Sequence, residues 1–292
     1  MRDLSKELSA LAKHCRDLRE QGAAATAVAA DWSRRICDFL DPTLVATGSL
    51  GRGEGMPGSD VDVLRIHPGD TPGLSSLYAA GILQDNHGVT AQNSFLPSTE
   101  KQWERKAPFW TDNPREEFGV VMTGLLADAA SQRLRSAAFE NTPDSPMVAE
   151  MLRDSINRRP PRISGIFPRR SFDLKSEALN PLIKIARWGA LSSGADSHPL
   201  STPHRLRSIQ PRFLSEAQCE AMQRAFHTVF TLRLDISFNL MKESVLDRRG
   251  NVIVKNLPAE TQKELIAAVA TTRSIQKALA YLLSTSSFSH EK

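Results

Sequence analysis

The chain has 292 residues, 40% of them hydrophobic and 24% charged, with sixteen glycines and seventeen prolines; this is a globular composition, neither collagen-like nor disordered, with length for one large or two modest domains. Thirty-seven Lys and Arg stand against 33 Asp and Glu, a surplus that permits a polyanionic partner without requiring one. Cys15, Cys37 and Cys219 form no C-x-x-C pair, which excludes the common zinc and dithiol motifs and predicts reduced thiols in a cytoplasmic protein.

In chain order, Leu4, Leu8, Leu11 and Leu18, then Val28, Trp32, Ile36, Phe39 and Leu40, recur at helical spacing. They predict two helices broken near Gln21-Gly22, the second stopped by Asp41-Pro42. The charged N-terminus lacks the apolar core of a signal peptide. Leu44-Val-Ala-Thr-Gly-Ser and the β-branched segment around Val61, Val63 and Ile66 predict strands, and the apolar run 119–126 a third. Between Gly73 and Pro114 only short helices are expected. The stretch 118–130 is interrupted by Asp128 and falls short of the roughly 18–20 apolar residues that cross a bilayer.

Beyond Pro143 the pattern turns helical, with a linker at Arg158-Arg-Pro-Pro-Arg. Helices are predicted over 174–191, after Ser201-Thr202-Pro203, after the capping box Ser215-Glu-Ala-Gln218, and from Pro258 onward. Their apolar stripes suit an antiparallel bundle.

Chemistry concentrates in Thr47-Gly-Ser-Leu-Gly-Arg-Gly-Glu54 and Ser59-Asp-Val-Asp-Val63. Residues i and i+2 of a strand share a face, so the carboxylates of Asp60 and Asp62 converge on one site, where a hard cation such as Mg²⁺ relieves their repulsion. Upstream, Gly48 lets the backbone approach a polyphosphate, and the Ser49 hydroxyl supplies a hydrogen bond. Arg52 either meets phosphate or pairs with Glu54 to brace the loop. The formal G-x-G-x-x-G at Gly53–Gly58 precedes a strand instead of a helix, so a dinucleotide fold is not supported, and no P-loop motif is present. The arginines from Arg153 to Arg170 read as a solvated linker ahead of an RNA surface. Trp103 and Trp110 read as packing ahead of base stacking.

The pattern Gly-Ser, ten residues, Asp-x-Asp resembles the signature of the DNA polymerase β-type nucleotidyltransferases. More narrowly, the two segments resemble the bacterial protein nucleotidylyltransferases, notably the uridylyltransferase of the PII signal protein and its relatives often fused to CBS domains. The likeness continues through Phe172-Asp-Leu-Lys175, Leu179-Asn-Pro-Leu182, Ile185-Ala-Arg187, Thr202, His204-Arg-Leu206 and Leu232-Arg-Leu234. It implies an α+β fold: N-terminal helices over 1–42, a polymerase β-like nucleotidyltransferase domain with a small mixed sheet over 43–150, and a helical substrate-binding bundle over 151–292.

The activity implied is Mg²⁺- or Mn²⁺-dependent transfer of a nucleoside monophosphate from a nucleoside triphosphate to a protein hydroxyl, with release of pyrophosphate. A small molecule or an RNA 3′ end is the alternative acceptor, and a non-catalytic nucleotide-binding regulator the alternative class. Neither a membrane nor a nucleic-acid partner is favoured. Asp60, Asp62 and Asp128 would hold metal, with Asp85 or Glu117 as substitutes for Asp128. Gly48, Ser49, Arg52, Lys175 and Arg187 would bind the nucleotide. The segment Leu126-Ala-Asp128-Ala-Ala-Ser keeps the family's third acid but lacks the arginine expected two residues on. The His-Asp hydrolase motif of the PII-modifying enzymes has no counterpart here.

Overall fold

A computed structural model describes residues 4–84, 95–165 and 168–285. Helices α1 (Leu4–Glu20) and α2 (Ala25–Cys37) form the expected pair, broken at Gln21-Gly22, where Gly22 takes a positive φ. They lie against the C-terminal half of the chain, through an Arg19–Asp235 ion pair at 2.6 Å and an edge-on contact of Trp32 with Phe238.

Strand β1 (Leu44–Ala46) runs into the one-turn helix α3 (Gly48–Gly51), and β2 (Asp60–Val61) and β3 (Val63–Arg65) follow with Asp62 between them. β3 pairs antiparallel with β1, Ala46 opposite Val63, while β2 pairs parallel with β4 (Leu83–Gln84), Asp60 opposite Leu83. The segment 60–65 thus carries an antiparallel neighbour on one stretch and a parallel neighbour on the other, in two separate two-stranded sheets where one small mixed sheet was expected. Asp60 and Asp62 both lie at the start of that segment.

The apolar run 119–126, expected as a strand, is helix α6 (Gly119–Ala127). A short continuous apolar run does not separate a buried strand from a buried helix, and here packing decides. α6 sits among α5 (Glu100–Asp112), α7 (Gln132–Asn141), α8 (Met147–Asn157) and α9 (Asn180–Ser192), so nearly every face meets protein. Gly124 lets it approach α9, since a β-carbon there would lie 3.0 Å from Arg187 Nη1. The region 73–114 is likewise more helical than expected. After α4 (Pro72–Ala79) comes the thirteen-residue α5, opened by a capping box in which Thr99 and Gln102 satisfy each other's backbone amides. Trp103 and Trp110 of α5 pack against each other inside the core, and Trp103 Nε1 donates to Arg65 O at 2.8 Å.

The second half is helical. β5 (Ser171–Phe172) pairs with β6 (Val252–Ile253), and a π turn over Lys175–Leu179 opens α9. Helices α10 (Thr202–Ser208), α11 (Glu216–Ser237) and α12 (Ala259–Thr285) follow, with Ser215 and Gln218 forming the expected capping box. Trp188 is fully buried with its Nε1 donating to Val148 O, and Phe226 stacks on Phe230; each such aromatic contributes about 1.5–3 kcal/mol by leaving water. Among the described residues no helix is long and apolar enough to cross a membrane, and the three cysteines are unpaired.

Candidate active site

A cleft of about 860 Å³ opens where the strand end faces α6, α8 and α9, and it gathers Gly48, Ser49, Arg52, Asp60, Asp62, Asp128, Lys175 and Arg187. The eight candidates lie up to 139 positions apart in sequence. Their convergence comes from β1 ending at Ala46, from β2 and the Asp62 that follows it, and from α9 crossing α6.

The floor is built by backbone. Thr47 N donates to Asp62 O at 2.9 Å and its hydroxyl to Leu125 O, which fixes the turn between β1 and α3. Gly48 has φ +59°, and a β-carbon on it would run into the Asp62 carboxylate; both conditions favour glycine. Gly51 is equally confined, its missing β-carbon falling against the Ala46 and Asp128 carbonyls. Ser49 Oγ is buried without a hydrogen-bond partner among the described residues. Such an orphaned hydroxyl on the wall of a cleft invites a ligand oxygen.

Two acidic centres differ sharply. At the mouth, Asp60 Oδ1 accepts from Lys175 Nζ at 2.8 Å; burial would raise its pKa, but the Lys175 ammonium prevails and lowers it. The π turn positions that lysine: Asp173 Oδ1 accepts from Ser176 N and Glu177 accepts from Asp173 N, fixing the start of α9. At the back, Asp128 is 1% exposed and bound by three guanidiniums, those of Arg52, Arg187 and Arg205. Burial would raise its pKa, but Arg187, Arg52 and Arg205 together hold it far below the carboxylate range. Arg205 also donates to Ala127 O and Pro199 O, and burial brings its pKa down to about 10.

Arg52 faces inward, bonded to Glu54 at 2.7 Å as well as to Asp128, and Glu54 in turn accepts from Thr202 N, the first residue of α10. Of the two readings of Arg52, the brace describes these contacts. Arg187, 19% exposed, is the most exposed of the three arginines and lines the cleft. Three guanidiniums against Asp128 and Glu54 leave one positive charge in excess behind the cleft.

The fit to a metal is therefore partial. Asp60 and Asp62 offer hard oxygen ligands on one strand end, the donor set Mg²⁺ or Mn²⁺ prefers. Asp128 has both oxygens committed to arginines, and among the described residues no group of three His, Cys, Asp or Glu is placed to hold a metal; this geometry departs from the ligand role implied by resemblance. Of its named substitutes, Glu117 is exposed and paired with Lys106, and Asp85 lies outside the described residues. Sequence reasoning did not give Arg205 a part in the site. Its only signal was a place in the second family-like segment.

Residues 31–107 match the family model described as "Nucleotidyltransferase domain". The first half of the chain therefore carries a nucleotidyltransferase domain of the DNA polymerase β type. More particularly, residues 147–283 match the model described as "Putative nucleotidyltransferase substrate binding domain", which places the chain among those that carry such a helical domain behind the nucleotidyltransferase domain. A comparison with curated proteins finds no match.

Proposed function

We propose that the chain transfers a nucleoside monophosphate from a nucleoside triphosphate to a hydroxyl on a protein, in the manner of the PII uridylyltransferases, in the cytoplasm. We divide it into helices over 1–42, a catalytic domain over 43–150 and a substrate-binding domain over 151–292. The observation that carries this reading is the meeting of Asp60, Asp62, Ser49, Lys175 and Arg187 in one cleft.

Ser49 Oγ and the backbone around Gly48 hold the outer phosphates, and Arg187 and Lys175 balance their charge from the helical side. Asp60 and Asp62 would hold Mg²⁺ or Mn²⁺, which would supply neutralisation of the triphosphate and of the departing pyrophosphate. The acceptor hydroxyl attacks the α-phosphorus in line, its new P–O bond forming as the bond to pyrophosphate breaks. Asp128 works from behind: it fixes the direction of Arg187 and so positions the cation that meets phosphate.

The test is incubation with Mg²⁺ and each α-labelled nucleoside triphosphate in an extract of the source cells. Label on protein is expected, and label on RNA or a small molecule alone overturns the acceptor assignment. One observation favours a second reading, a nucleotide-binding regulator without turnover: the described residues gather no three-acid metal group. Failure to release pyrophosphate with every nucleotide and acceptor would establish it.

A further inference from the structure

Six exposed arginines, Arg158, Arg159, Arg162, Arg170, Arg248 and Arg249, stand in the helical half, and among the described residues none has an acidic partner. Their six positive charges exceed the whole chain's surplus of four, so the rest of the chain balances to a small negative net charge.

Backbone bonds tie part of this set together. Arg169 N donates to Arg162 O at 2.7 Å, and Val254 N to Arg170 O at 3.1 Å, which connects the linker to the β5–β6 pair. At the turn between Leu246 and Val252, the Asp247 carboxylate accepts from Arg249 N at 2.8 Å, Asn251 N at 3.0 Å and Ser171 Oγ at 3.1 Å. That turn presents Arg248 and Arg249 beside Arg169 and Arg170 around a shallow depression of about 560 Å³. Crowding like charges raises the energy of the free protein, and an anionic partner relieves it.

Position ties this surface to the cleft. Asn157 lines the cleft and is followed directly by Arg158; Lys175 lines it too, five residues beyond Arg170. The arginine-bearing segment therefore leaves the cleft wall and returns to it. Guanidinium forks match carboxylates in pairs of parallel hydrogen bonds. Single-stranded nucleic acid is held largely by aromatic stacking, and among the described residues the exposed aromatics Phe95, Phe118 and Tyr281 lie outside the segments that build this surface.

We propose that this arginine surface docks an acidic face of the protein acceptor beside the cleft, a proposal that rests on the acceptor's being a protein. The test uses the full chain and two fluorescent probes, a 20-residue poly-L-glutamate and a 20-nucleotide poly(U). The native protein should bind poly-glutamate more tightly than poly(U), with affinity falling as salt rises. Arg248→Glu/Arg249→Glu should weaken poly-glutamate binding by about tenfold or more, and Arg248→Ala/Arg249→Ala by less, while nucleoside triphosphate binding stays unchanged in both. Thermal melting establishes that each variant is folded. Absence of poly-glutamate binding, equal binding by the charge-reversed protein, or tighter binding of poly(U) overturns the proposal. Because nucleotide binding is measured separately, failure of the docking surface is distinguishable from failure of the catalytic reading.

Discussion

Asp60 and Asp128 line the same cleft, yet their surroundings assign them opposite tasks. Asp60 sits at a strand end, partly exposed, with Lys175 bonded to it and Arg233 acting on it from further off. Asp128 sits behind α6, sealed from water beneath three guanidiniums. A carboxylate left partly in water can exchange a lysine for another cation when substrate arrives. One enclosed by arginines cannot do so without leaving those charges uncompensated, which is why we propose it as a structural counter-ion. Residue type therefore predicts chemistry only together with the number of charges that already claim it.

The largest effect should come from the sealed acid. Asp128→Ala leaves Arg52 and Arg205 buried without their shared counter-charge, a loss of about 3–5 kcal/mol in folding stability. Denaturant unfolding measures it, and a variant as stable as the native chain would remove the contrast between the two acids. Next come the acids at the mouth. Asp60→Asn and Asp62→Asn should each lower transfer by ~10²–10³ while the melting temperature holds. Unchanged turnover with labelled nucleotide in either variant would defeat the catalytic reading.

Acid sharpens the same comparison. Because the folded-state pKa of Asp128 is depressed, its contribution is complete above the unfolded carboxylate value of about 4 and is lost as pH falls below it towards the folded value. Across that window the native chain should lose stability with a slope steeper by about 1.4 kcal/mol per pH unit than Asp128→Asn, which has no proton to take up there. Denaturant unfolding at pH 5, 4 and 3 supplies both slopes, and parallel slopes would show that Asp128 is not held ionised.

Much of this was legible before the fold. Gly48, Ser49, Asp60 and Asp62 are read from local rules: a glycine that lets backbone approach a phosphate, a hydroxyl after it, and two acids two residues apart in a strand-like run. The capped and proline-opened helices of the second half follow from equally local signals at Ser215, Gln218 and Pro203. Helix α6 was not legible, because its apolar sequence carries no period and only its neighbours select a helix. The arginine cage was hidden for a related reason. Arg52, Arg187 and Arg205 reach Asp128 across 76, 59 and 77 residues, and no spacing rule joins positions so far apart. The resemblance supplied an acid at position 128, while the guanidiniums around it come from tertiary structure alone.

The smallest effect tests the other side of the comparison. Lys175 and Asp60 form an ion pair at 2.8 Å, but their side chains are 40% and 23% exposed, so water and salt screen the attraction. Lys175→Ala should therefore change folding stability by no more than roughly 1 kcal/mol, far less than the loss at Asp128. Its effect belongs to binding. With the lysine gone, the Asp60 carboxylate should rise toward its ordinary pKa, because the ammonium that offset burial has been removed. Nucleoside triphosphate should bind roughly tenfold more weakly for want of one charge-assisted hydrogen bond. Calorimetric titration beside thermal melting separates the two quantities. A variant that melts much earlier yet binds nucleotide normally would make Lys175 a structural partner like the arginines of Asp128, and the distinction between the two acids would then lie in depth alone.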